Sequence, residues 1–250
     1  MTSAITIRMQ GLTKRFGTFV AVDNVTLDVH AGEIFGFLGP NGAGKSTAIR
    51  ILCGLLQPSA GRAEVGGFDV ARDPEKVKAS IGYMSQKFSL YDDLTVEENI
   101  DFFSGVYGVP KDARVARKEH ALQMAGLTDR RRDMTRTLAG GWKQRLALGC
   151  SILHKPPILF LDEPTSGVDP IARRAFWDLI YEMAGAGTSV VVSTHYMDEA
   201  VYCHWLALMY RGRTIALGTP GELKTTQAEA CATSMEDVFI QRIEEAEAKV

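Results

Sequence analysis

Residues 4–38 alternate apolar and polar positions in short runs, at 4–7, 19–22 and 25–29, with turn signals at Gly17, Asp23-Asn24 and Ala31-Gly32 between them. A period of two with that punctuation predicts an antiparallel lead-in sheet. The alternation stops at Ile34-Phe35-Gly36-Phe37-Leu38, a continuous apolar run of the kind that fills a parallel strand buried on both faces. This strand passes directly into a glycine-rich loop and a helical stretch at 45–55. After a short strand at 81–84 the period turns helical, with helices expected at 96–106, 113–125 and 143–153. Strands resume at 158–161, 189–193 and 206–209, with a helix at 172–184, which is the alternation of a parallel α/β sheet. The stretch 213–250 reads as a hairpin piece followed by a charged C-terminal helix, and there is no internal repeat.

The expected fold class is therefore α/β, with a mostly parallel core sheet, an antiparallel β lead-in subdomain and an inserted α-helical subdomain. Residues 1–225 form the expected main domain, with the helical insert at about 88–155 and a helical tail at 226–250.

Composition narrows the function classes only a little. With 250 residues, 46% hydrophobic and 23% charged, the chain can bury a sizeable core without crosslinks, which excludes disordered and fibrous classes. A net charge of -2 gives no global basic field for nucleic acid. The local run Arg130, Arg131, Arg132 and Arg136 reads as a solvated face. Cys53, Cys150, Cys203 and Cys231 are far apart, with no CxxC pair, so a reduced cytosolic protein is expected. The N-terminus has no basic stretch followed by an apolar one, and no run approaches the ~18 apolar residues of a membrane span. Neither secretion nor insertion in a bilayer is expected.

The chemistry begins at Gly39-Pro40-Asn41-Gly42-Ala43-Gly44-Lys45-Ser46-Thr47, which fits GxxxxGK[ST] in full between a predicted strand and a predicted helix. Glycines let successive backbone N–H groups point inward at phosphate oxygens, and the helix N-terminus adds its positive dipole end. Lys45 brings a mobile charge to the β and γ phosphates, and Ser46 offers a hydroxyl oxygen to Mg²⁺. A P-loop NTPase follows. The strand 158–161 runs into two adjacent acids, Asp162 and Glu163, at the sheet end where open α/β folds gather functional groups. Alternation aims them apart, so that Asp162 addresses the Mg²⁺ shell and Glu163 orients and deprotonates the attacking water.

On these motifs the stretch from about residue 5 to 225 resembles the ATP-binding cassette ATPases. Walker A is the glycine loop, Walker B ends in Asp162 and Glu163, and Pro164-Thr165-Ser166-Gly167-Val168-Asp169 is similar to the family's D-loop region. The resemblance implies that Gln86 is the Q-loop glutamine, reaching Mg²⁺ and the attacking water. It makes His195 the switch histidine, contacting the γ-phosphate and holding the water with Glu163. Phe16 falls at the aromatic position that stacks on adenine.

One stretch departs from the family. Its signature LSGGQ is matched here by Leu138-Ala139-Gly140-Gly141-Trp142. In the family this segment crosses a head-to-tail dimer to the partner's ATP, so Gly140 and Gly141 are expected to bind nucleotide there. Ala139 removes a hydroxyl whose bond to a charged phosphate is worth roughly 1.5 to 3 kcal/mol, so a working but slower ATPase is expected. A nucleotide-sensing switch without turnover stays open.

The tryptophan at this site resembles a branch of the ABC-2 type efflux ATPases, and the tail Ser234-Met235-Glu236-Asp237-Val238-Phe239 is similar to one in their daunorubicin-resistance-like members. The same tail also reads as a helix capped by Ser234 with Asp237 three residues on. The resemblance implies a homodimer, or a pairing with a second cassette, with ATP at the interface. It further implies a separate ABC-2 type integral membrane permease and a peripheral position on the cytoplasmic face of a bacterial inner membrane. Phe88, Leu90 and Tyr91, after Gln86, either receive a permease helix or pack inside the insert. The alternative class is a soluble cassette machine acting on DNA or the ribosome. Only 52 positions separate Gln86 from Leu138, which leaves no room for the long coiled coil of the chromosome-type relatives.

Overall fold

Strand β1 (Ile5–Phe16) and strand β2 (Phe19–His30) pair antiparallel across a tight turn at Gly17-Thr18 in the computed structural model, which describes residues 4–87, 89–225 and 234–248. A break was expected at Asp23-Asn24, yet β2 runs through it. Asn24 takes a φ of 52°, and the register slips on either side of it. The Asp23 N–H donates to the Gly212 carbonyl at 2.8 Å and the Asn24 N–H to Thr13 Oγ1 at 3.1 Å. Both amides find partners without a chain reversal, so the turn-prone pair makes a bulge.

Next come β3 (Ile34–Leu38) and α1 (Lys45–Leu52), then β4 (Ala60–Val65) and β5 (Phe68–Asp69), which complete a four-stranded sheet in the order β2-β1-β4-β5. Helix α2 (Pro74–Ser80) leads into β6 (Ile81–Met84). Helices α3 (Val96–Val106), α4 (Lys111–Ala125) and α5 (Gly140–Ser151) intervene before β7 (Ile158–Asp162), α6 (Pro170–Gly185) and β8 (Ser189–Thr194). Then β9 (Trp205–Tyr210) and β10 (Arg213–Gly218) lead to α7 (Pro220–Thr225) and α8 (Met235–Glu247). The second sheet has the order β10-β9-β3-β8-β7-β6, parallel throughout except for the antiparallel edge strand β10.

Three apolar clusters hold these layers. Helix α1 lies between the two sheets, where Ile49 and Ile51 share one core with Ile7 and Met9 of β1 and Phe160 of β7. The opposite face of the parallel sheet is covered by α6 through Phe176, Trp177 and Ile180, and by Val238 and Phe239 of α8. Full burial of each such side chain contributes about 1.5 to 3 kcal/mol, which fixes the strand ends against both helix layers. The third cluster joins α3, α4 and α5 through Ile100, Leu122 and Leu146.

Helix α3 starts at a capping box, with Thr95 Oγ1 accepting the Glu98 N–H and the Glu98 carboxylate accepting the Thr95 N–H. The reciprocal box expected at Ser234 and Asp237 is also present at the start of α8. The arginine run is spread into local surface contacts: Arg131 pairs with Glu97 and Glu119, Arg136 pairs with Asp93, and Arg130 lies over the ring of Trp142. Helix α5 begins at Gly140, three residues before the expected start at 143, since the poor helix propensity of Gly140-Gly141 hides its first turn from the sequence pattern.

Candidate functional site

The parallel sheet places the C-terminal ends of β3, β7 and β8 side by side, with Leu38 opposite Thr194 and Asp162 opposite Ser193. Every group considered next leaves from one of those ends or from the segment after β6. The loop from Gly39 to Gly44 turns tightly enough that two of its glycines have no substitute. A Cβ at Gly39 would stand 2.2 Å from the Met209 carbonyl oxygen, and one at Gly44, where φ is 101°, would stand 2.3 Å from that of Ala21. The loop can therefore pass against β9 and β2 only as bare backbone.

Lys45 opens α1 yet is buried, with its ammonium donating to the carbonyls of Gly39 at 2.7 Å and Pro40 at 3.0 Å. Burial pulls its pKa below the ordinary lysine value, opposed by the nearby carboxylates of Glu163 and Asp162. A desolvated cation at the mouth of a cleft lined by the glycine-rich loop attracts an anion strongly.

Asp162 is fully buried. Its Oδ1 accepts from the hydroxyls of Ser46 at 2.8 Å and Ser193 at 2.6 Å, while Oδ2 has no hydrogen-bond partner among the described residues. An orphaned buried carboxylate oxygen beside a serine hydroxyl is a pair of hard oxygen donors, and Mg²⁺ is characteristically held by one or two carboxylates with substrate phosphates and water. Among the described residues no group of three or more His, Cys, Asp or Glu side chains could hold a metal ion.

Glu163 follows at a φ of 49°, its N–H bonded to Ser193 through both the carbonyl at 3.1 Å and Oγ at 3.0 Å. At this left-handed residue the nearly buried carboxylate enters a meeting of three groups. Gln86 Nε2 donates to Oε2 at 3.0 Å, His195 Nδ1 lies 3.2 Å from the same oxygen, and Lys45 Nζ lies 3.5 Å from Oε1. A cleft of about 290 Å³ opens here, lined by Asn41 to Thr47, Gln86, Glu163, Phe19 and Ala21.

The structure thus brings together Gly39, Pro40, Asn41, Gly42, Ala43, Gly44, Lys45, Ser46, Thr47, Gln86, Asp162, Glu163 and His195. Phe16 stands beside the cleft, half exposed, with the Lys14 ammonium 5.1 Å above its ring, while its cross-strand partner Phe19 lines the cleft itself. Gly140 and Gly141 stand apart from this cleft, in the first turn of α5. There Ala139 occupies the N-cap position and no side chain caps the helix. Sequence reasoning missed Phe19 and Ser193. Ser193 lies two residues before His195, but only the pairing of β7 with β8 reveals that it holds Asp162. Leu90 is half buried between two apolar clusters, whereas Tyr91 is exposed with its ring 4.6 Å from that of Phe102. Phe88 and Cys231 lie outside the described residues. Cys53, Cys150 and Cys203 are buried and free.

The model of the ABC transporter family matches residues 22–166. The "Probable multidrug ABC transporter ATP-binding protein YbhF" of Escherichia coli (strain K12) is 52% identical over 239 residues, covering 95% of this chain and 41% of that protein. This chain therefore spans less than half of that relative's length. The "Daunorubicin/doxorubicin resistance ATP-binding protein DrrA" of Streptomyces peucetius is 41% identical over 221 residues, 88% of this chain and 67% of that protein. Among solved structures, one described as "Structure of ATP binding subunit of ABC transporter" superposes with a TM-score of 0.84 at 27% identity over 95% of this chain and 99% of that one. Another, the "Dimeric structure of a post-hydrolysis state of the ATP-binding cassette MJ0796 bound to ADP and Pi", has a TM-score of 0.77 at 26% identity over 85% and 98% of the two chains.

Proposed function

This chain belongs to the ABC transporter family as an ATP-binding cassette, and from that premise we propose that it binds ATP with Mg²⁺ and hydrolyses it to drive a transporter. The observation that carries the reading is the convergence of Gln86, His195 and Lys45 on the carboxylate of Glu163, beside an Asp162 oxygen that has no partner of its own.

In this account the amides of the loop from Gly39 to Gly44 and the Lys45 ammonium hold the β and γ phosphates, and Phe16, with Phe19 next to it, offers an aromatic face to adenine. Asp162, Ser46 and Gln86 are the groups that would hold Mg²⁺, which when bound neutralises charge on the phosphate oxygens. Glu163 accepts a proton from water as its oxygen attacks the γ-phosphorus, and the bond from that phosphorus to the bridging oxygen of ADP breaks. Gln86 and His195 both meet the Glu163 carboxylate at Oε2, which fixes the orientation of the group that takes the proton.

The names of the relatives support drug-like or lipophilic cargo and export. We assign this chain a place against a separate ABC-2 type permease, peripheral on the cytoplasmic face of a bacterial inner membrane. Two copies, or one copy and a second cassette, would close on ATP through Gly140 and Gly141. Among the described residues no helix is long and apolar enough to cross a membrane. The uncapped N-terminus at Ala139 favours a second reading, a switch that binds ATP and turns it over little. Phosphate release from ATP by the purified protein with Mg²⁺, compared with Glu163→Gln, decides between them. Turnover that Glu163→Gln abolishes supports hydrolysis, and tight binding without turnover supports the switch.

A further inference from the structure

The loops that carry Glu163 and His195 are joined by a buried polar cluster set back from the nucleotide cleft. Thr165, two residues beyond Glu163, donates its hydroxyl to Glu199 Oε1 at 2.6 Å, and both side chains are buried. Glu199 lies in the 3-10 turn Met197–Tyr202, which follows His195. Arg173 of α6 reaches between them, with Nε 3.7 Å from Glu199 Oε1, Nη1 3.5 Å from Asp198 Oδ2, and its guanidinium 4.4 Å from the ring centroid of Tyr196. Tyr196 in turn lies against the His195 ring at 4.2 Å. A continuous path of contacts therefore runs from Thr165 through Glu199, Arg173 and Tyr196 to His195.

This cluster is poorly made for stability alone. The 3.7 Å separation is too long for a hydrogen bond, and Glu199 Oε2 and Arg173 Nε are both buried without hydrogen-bond partners among the described residues. Buried ion pairs seldom outweigh their desolvation, and one with unmet bonds does so least, so its presence calls for an explanation other than folding.

We propose that Glu199, working through Arg173, is a positioning residue for hydrolysis: it ties the segment after Glu163 to the segment after His195 and so sets their mutual placement. The inference rests on the hydrolytic reading given above. Gln86 meets the Glu163 carboxylate at the same oxygen as His195 but belongs to a different loop, so it stays outside the cluster.

The test is ATP turnover and nucleotide affinity in Glu199→Gln, His195→Ala and the double variant, with Thr165→Val as a second probe that removes only the hydroxyl. Glu199→Gln keeps an acceptor for Thr165 but removes the charge that strengthens that bond and faces Arg173, and is expected to lower kcat about tenfold with KM and ATP affinity unchanged. In the His195→Ala background it is expected to add nothing, because it acts through that residue. Wild-type turnover in Glu199→Gln, an equal loss on top of His195→Ala, or a fall in ATP affinity that matches the fall in rate would each overturn the assignment. Where Glu199→Gln does not fold, Thr165→Val carries the same outcomes. Wild-type protein that binds ATP without turnover overturns the hydrolytic reading itself and this inference with it, a result distinct from failure of the variants alone.

Discussion

Replacing Ala139 by serine separates two contributions of one hydroxyl. Ala139 is the N-cap of α5 at φ -62° and ψ 156°, the extended conformation in which a serine oxygen reaches the N–H groups of the first helical turn. The backbone already suits a cap, so the substitution adds one hydrogen bond without strain. That bond is worth about 1 kcal/mol, which for a chain of this size raises Tm by roughly 2 to 4 °C. Scanning calorimetry without nucleotide measures this term by itself. If the first turn of α5 also faces a phosphate across a dimer, the same hydroxyl contributes a further bond to a charged group and kcat rises about ten- to a hundredfold. An unchanged or lowered Tm would refute the capping argument. A raised Tm with unchanged kcat would refute the placement of the α5 N-terminus on nucleotide.

Three further outcomes follow from the packing. Gly44→Ala puts a Cβ 2.3 Å from the Ala21 carbonyl oxygen at a φ of 101°; strain of about 1 to 3 kcal/mol plus that clash should lower the urea midpoint and abolish ATP binding in calorimetric titration. His154 stacks on Tyr107 with ring centroids 4.3 Å apart, and burial holds its pKa below the ordinary 6.5, partly offset by its bond to the Ile81 carbonyl. The unfolded chain then takes up a proton that the native state refuses, so stability falls as pH drops below 6.5, and urea midpoints at pH 7.5 and 5.5 should differ less in His154→Phe. Burial pushes the thiols of Cys53, Cys150 and Cys203 well above the usual range, so alkylation mapped by mass spectrometry should miss all three until denaturant is added.

What the sequence revealed tracks how locally each feature is specified. The bounds of β3 and α3 are those expected, because a continuous apolar run in one case and a helical period in the other are written into the local sequence. Strand β4 carried no signal: Ala-Gly-Arg-Ala-Glu-Val is poor in β-formers and becomes a strand by pairing with β1. Asp23-Asn24 looked like a turn since its partners, Gly212 and Thr13, are distant or on the opposing strand. The candidate site follows the same rule. Lys45, Ser46, Asp162 and Glu163 stood out through short motifs, whereas Ser193 and Glu199 are polar residues made notable only by pairing and burial.

The most direct test of the transport account is capture from membranes with tagged Glu163→Gln protein in the presence and absence of ATP, followed by identification of what is bound. The account predicts ATP-dependent recovery of a second cassette together with a multi-span permease of the ABC-2 type. Recovery of ribosomes or DNA, or of no membrane protein in either condition, would contradict it.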